Sequence, residues 1–114
     1  PRAIRDVYKR QGAGAKANPY FYQIELVRQY TFEDFAKSVN NQAWLAAYML
    51  KQNGIKPTLA DDNEGIGSII SHNAVSQYWG GTDHVDPIEY YARWGYDMHQ
   101  LFELVKYHYD NIPG

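Results

Sequence analysis

Three side chains in this sequence have types and spacing suited to hydrolytic chemistry: His72, His84 and Asp86. His72 follows the apolar pair Ile69-Ile70, and Asp86 comes 86 − 72 = 14 positions later, just before Pro87. Gly80-Gly81 lies between them, so a loop can leave at one and return at the other. A histidine nitrogen with a carboxylate oxygen is ligand chemistry for catalytic zinc, where three protein ligands leave one position for water. His84 can also donate an N–H to a developing oxyanion.

The strings Ser71-His72-Asn73-Ala74-Val75-Ser76 and Gly80-Gly81-Thr82-Asp83-His84-Val85-Asp86-Pro87 carry a resemblance. They resemble the C-terminal half of the zinc-dependent N-acetylmuramoyl-L-alanine amidases, which share a fold with peptidoglycan recognition proteins. The particular form is similar to phage and prophage endolysins. The resemblance implies His72 and Asp86 as zinc ligands and His84 as the oxyanion donor, where the wider family often has lysine. It also implies Glu25, in Gln23-Ile24-Glu25-Leu26, as the acid/base. Tyr78 and Trp79 stand where a loop could contact sugar, although both could equally pack that loop. The implied substrate is peptidoglycan, and the implied place of action is the cell wall, by secretion or phage-type release. The alternative is a non-catalytic peptidoglycan-binding module.

The family's first zinc ligand is an upstream histidine, and no histidine precedes His72 here. The expectation is a catalytic domain cut at its N-terminus. With two ligands where three are usual, this chain is expected to hold zinc weakly and to be inactive by itself.

Composition sets further bounds. At 114 residues the chain makes at most one small domain. Its net charge is −2 with no basic block, which argues against a nucleic-acid groove. There is no run of about 18 apolar residues to span a membrane, and no signal peptide is visible. The absence of cysteine removes disulfides, thiol nucleophiles and thiolate ligands together.

The elements that must position these side chains follow from periodicity. Asp6-Val7-Tyr8-Lys9-Arg10-Gln11 matches a translated sequencing-library transposon end. Residues 1–11 are therefore expected to be non-native adaptor read-through on a metagenomic fragment. Residues 12–19 read as loop, 20–110 as the catalytic-domain part and 111–114 as the start of a linker. Tyr20–Val27 has strand composition, with Glu25 on the less apolar face; without the resemblance it reads as an exposed carboxylate. Thr31 caps a helix of about 22 residues with apolar spacing from Phe32 to Leu50, closed by Asn53-Gly54. Asp61-Asp62-Asn63-Glu64 lacks EF-hand spacing and is expected to bind no metal.

Ile66–Ser71 is expected to be a short strand delivering His72. Helices are expected over about 87–93 and 97–110. Asp86 could cap the first of these rather than bind metal; Asp97 caps the second. His99 and His108 face differently on the last helix and are not expected to be ligands. The expected fold class is α/β: a mixed central sheet flanked by helices, incomplete at the N-terminus.

Overall fold

The structure is a computed structural model describing Ile24 and residues 28–113. The expected strand Tyr20–Val27, apart from Ile24, lies outside the described residues, as do Glu25 and the segments 1–11 and 12–19.

The expected central sheet is overturned by what the described residues form. They are helical, and their β pairing is one isolated parallel bridge, Leu59 to Ile69. Ala60 N–H donates to Ile69 O at 2.8 Å and Ile69 N–H to Thr58 O at 2.8 Å. The Ile66–Ser71 strand does not form. Ser71 ends the extended stretch because its hydroxyl accepts from Ala74 N–H at 3.0 Å and starts a helix at His72. Two isoleucines with a single paired point make no ladder.

Helix α1 spans Phe32–Gln52. Thr31 Oγ1 accepts from Asp34 N–H at 3.1 Å, and Glu33 and Asp34 sit in the first turn. The C-terminus closes as a Schellman motif: Ile55 N–H reaches Leu50 O at 3.0 Å and Gly54 N–H reaches Lys51 O at 3.2 Å. Gly54 takes φ +65°, a conformation that costs a Cβ-bearing residue.

Helix α2 is the short piece His72–Ala74, continued by a wider, π-type stretch over Val75–Trp79. Helix α3 is Ile88–Ala92 and α4 is Met98–Asn111. Asp97 caps α4, its carboxylate accepting from Gln100 N–H at 2.8 Å.

The core lies between α1 and α4. Phe35, Val39, Ala43, Ala47 and Leu50 of α1 meet Met98, Leu101 and Val105 of α4. Both sets recur at three- and four-residue steps, the spacing of one helical face. Phe35 is ringed by aromatics: Trp94 stacks at 5.4 Å, and Tyr90, Tyr91 and Tyr96 approach edge-on at 5.6, 6.0 and 5.7 Å. Tyr91 is fully buried, and its hydroxyl donates to Gln42 Oε1 at 2.5 Å. Burial, with Tyr96 beside it, pushes the Tyr91 pKa far above that of a free tyrosine. Burial also raises Tyr96, to about 12, with Asp97 adding to the effect. At the other end Lys51 Nζ lies 4.3 Å from the Tyr109 ring centre and donates to Tyr109 O at 3.2 Å.

Candidate metal centre

His72 is the first residue of α2, so its backbone direction is set by the cap before it. Ser71 is buried, at 2% exposure. Besides capping Ala74, its hydroxyl donates to Asp61 Oδ2 at 2.5 Å and its N–H donates to Asp61 Oδ1 at 2.9 Å. Every polar group of this buried hinge that faces the loop is therefore matched, as buried polar groups require.

From α2 the chain passes through Gly80 and Gly81, at φ +76° and +82°, and turns back. The returning strand of chain is clasped at two points. Asn73 N–H donates to Asp86 O at 3.0 Å, and Ser76 Oγ donates to His84 O. The clasp brings His84 and Asp86 against His72.

There, His72 Nδ1 stands 2.9 Å from Asp86 Oδ1. Thr82 Oγ1 lies 3.5 Å from His72 Nε2. The His72 and His84 rings meet edge-to-face with centres 4.6 Å apart. One ligand atom from each of His72, His84 and Asp86 lies within 4.8 Å of the others. An ion bound at about 2.0–2.2 Å by each needs these atoms within about 4 Å of one another, so shifts of about an ångström close the set. Two imidazole nitrogens and a carboxylate oxygen fit zinc in chemistry as well as spacing. The site is open on one side: the Asp86 side chain is 65% exposed, that of His72 only 11%.

Asp86 does not cap α3. That cap position belongs to Pro87, which makes no side-chain bond, and the Asp86 carboxylate turns instead to His72. The Asp86–Pro87 peptide is cis. Trp79 is tied into the loop, its indole N–H donating to Gly65 O at 2.8 Å while the ring packs with Ile70 against Val75. Tyr78 is exposed.

The other two histidines sit elsewhere. His99 Nε2 contacts Asp62 at 2.7 Å, and His108 Nε2 contacts Asn40 Oδ1 at 2.8 Å. The acidic loop thus has packing partners: Asp61 holds Ser71 and Asp62 meets His99.

Sequence reasoning missed two things. One is the approach of His84 to His72 within ligand range. The other is the Asp61–Ser71 pair, for which the only local signal was a serine opening Ser71-His72-Asn73-Ala74 in the manner of an N-cap.

A comparison with models of known protein families gives no match. The chain is 45% identical over 98 residues to Protein Ami of Listeria monocytogenes, covering 86% of this chain and 11% of Ami. It is 41% identical over 102 residues to the bifunctional autolysin of Staphylococcus aureus, covering 90% of this chain and 8% of the autolysin. It also aligns with the crystal structure of the S. aureus hydrolase AmiA in complex with its ligand. The TM-score is 0.83 at 42% identity, covering 86% of this chain and 47% of AmiA. The chain therefore spans about a tenth of the curated relatives and about half of the solved one.

Proposed function

We propose that this chain is part of a zinc-dependent amidase domain that cleaves peptidoglycan between N-acetylmuramic acid and L-alanine. The observation that carries this is the convergence of His72, His84 and Asp86 from two segments clasped together. Similarity to an autolysin and to the hydrolase AmiA supports it.

His72 and Asp86 hold the metal in this reading. Zinc, when bound, supplies Lewis-acid polarisation of the scissile carbonyl and acidifies water. His84 presents an N–H to the oxygen that gains charge as the carbonyl carbon becomes tetrahedral. Its nearness to His72 gives it a competing role as a third ligand. Glu25, assigned by its sequence context, takes the proton of the attacking water and passes it to the leaving amine. In this reading the exposed Tyr78 meets the glycan, whereas Trp79 donates its indole N–H to Gly65 O. Action at the bacterial cell wall follows from the substrate. A non-catalytic wall-binding module is disfavoured, since glycan binding gives no reason to gather two imidazoles and a carboxylate at one point.

Zinc titration by calorimetry, with amine release from purified cell walls, tests the reading in the complete domain. His72→Ala and Asp86→Ala should each abolish zinc binding. His84→Ala distinguishes its two roles: metal kept and rate lost means an oxyanion donor, metal lost means a ligand. Glu25→Gln should keep the metal and lower amine release by about 10² to 10⁴-fold. Zinc uptake by His72→Ala at the parent affinity would sink the assignment.

A further inference from the structure

The acidic loop lacks the spacing of a calcium site, yet one of its carboxylates grips the residue next to His72. We propose that Asp61 is a positioning residue for His72, acting through Ser71. This rests on the zinc reading of the site.

Both Asp61 oxygens are spent on one partner. Oδ1 takes the Ser71 N–H at 2.9 Å and Oδ2 the Ser71 hydroxyl at 2.5 Å. A bidentate grip of this kind fixes orientation as well as distance, because rotating Ser71 breaks one bond or the other. The Ser71 hydroxyl hydrogen is thereby aimed at Asp61, which leaves an oxygen lone pair for Ala74 N–H at 3.0 Å. The hydroxyl thus passes the constraint from loop to helix. His72 is the residue between, and the first with helical geometry. Its Cα–Cβ direction follows from Ser71 ψ and the first turn, so what holds Ser71 aims the imidazole.

Asp61 is itself held. Its short turn, Ala60–Asp62, is pinned by the bond from Ala60 N–H to Ile69 O at 2.8 Å. Gly67 packs so closely on this turn that a Cβ there would come within 2.6 Å of the Ala60 nitrogen. The far end of the loop is fastened by the bond from Trp79 to Gly65 O. The carboxylate therefore has little room to follow Ser71 if Ser71 moves. His72 is also the ligand that needs aiming. Its side chain is nearly enclosed, whereas Asp86 is exposed and can adjust. Residues that orient ligands in this way typically alter metal affinity about 10- to 100-fold when changed.

Asp61→Asn keeps one acceptor for Ser71 N–H but presents an amide to a hydroxyl that needs an acceptor. It should weaken zinc binding about tenfold or more, as should Ser71→Ala. The double variant should be little worse than either single one, because both changes cut the same relay. Asp62→Asn, which breaks the neighbouring contact to His99, should leave zinc affinity at the parent value and serves as the control for loosening of the loop. Calorimetry reads the affinities, and thermal melting shows whether each variant is folded. NMR of the metal-free chain gives a second measurement: Asp61→Asn should shift or broaden the His72 ring signals while those of His108 stay in place. Parent-like affinity in Asp61→Asn, multiplying losses in the double variant, or an equal loss in Asp62→Asn would each overturn the proposal. The affinities are read in the complete domain, and if that parent takes up no zinc, the amidase reading fails on that result. The NMR comparison then decides separately whether Asp61 places His72, and unmoved His72 signals would refute it.

Discussion

The α1–α4 pair and the segment from Leu59 to Asp86 are stabilised by different forces. Between the helices, Phe35, Val39, Ala43, Ala47, Leu101 and Val105 bury apolar surface with almost no polar atom among them. In the site segment, buried side chains are few and small: Leu59, Ala60, Ser71, Ala74 and Val75. Order there comes from directed bonds: Asp61 to Ser71, Trp79 to Gly65, Asn73 to Asp86. Apolar burial is non-directional and tolerant, whereas hydrogen bonds fix angles. The helices therefore supply stability, and the loops supply the aim that gathers His72, His84 and Asp86.

The largest expected effect is on the helical side. Phe35→Ala removes the ring at the centre of four aromatic contacts and should cost about 3–5 kcal/mol of global stability. Chemical denaturation checks this, and a loss below about 1 kcal/mol would show that the aromatic cluster is not the keystone of the core. A smaller effect, confined to the loops, is expected from Gly65→Ala. At φ +83° the new Cβ would sit 2.6 Å from Tyr78 Cβ and 3.0 Å from Trp79 Nε1. The cost should be about 1–3 kcal/mol. Hydrogen exchange should then speed up in residues 71–86 while α1 and α4 keep their protection. Uniform acceleration across the chain would erase the distinction between the two regions.

The smallest effect at neutral pH is the titration of Tyr91 and Tyr96, which is nil until the solution becomes alkaline. Tyr91 and Tyr96 have folded pKa values raised above the unfolded value of about 10. Above that pH the unfolded chain gives up protons that the folded chain keeps, so stability falls as pH rises. Their contribution is complete below about pH 10 and is lost progressively above it. A denaturation series from pH 8 to 12 should be flat and then decline. For Tyr91→Phe the decline should be shallower; an equal slope would place the alkaline sensitivity elsewhere.

The same division explains what could be read from the sequence. Helix α1 was legible almost to the residue, because Thr31, the 3–4 spacing and Asn53-Gly54 are all local signals. Asp97 announced α4 in the same way. His72 and Asp86 stood out through a motif, but their surroundings did not. The Ile66–Ser71 strand was mistaken because two isoleucines look extended in isolation, while the competing signal was a single serine cap. Asp86 looked like a helix cap because the partner that claims its carboxylate, His72, lies 14 residues away. Asp61 was hidden in a polar, turn-rich acidic run with no local sign of a partner. Its actual partner is ten residues downstream, beyond any helical or strand period.

The clasp between Asn73 and Asp86 also matters for how such a domain can diverge or be engineered. Because the two segments are joined at their base, the span through Gly80-Gly81 does not have to close the site by its own length. Doubling a flexible loop adds only about 0.6 kcal/mol of closure entropy. Loop length there is thus a nearly free variable. It is the position where related sequences can gain or lose residues, and where a foreign peptide could be spliced in to change what the rim meets, with the residues beneath left in register.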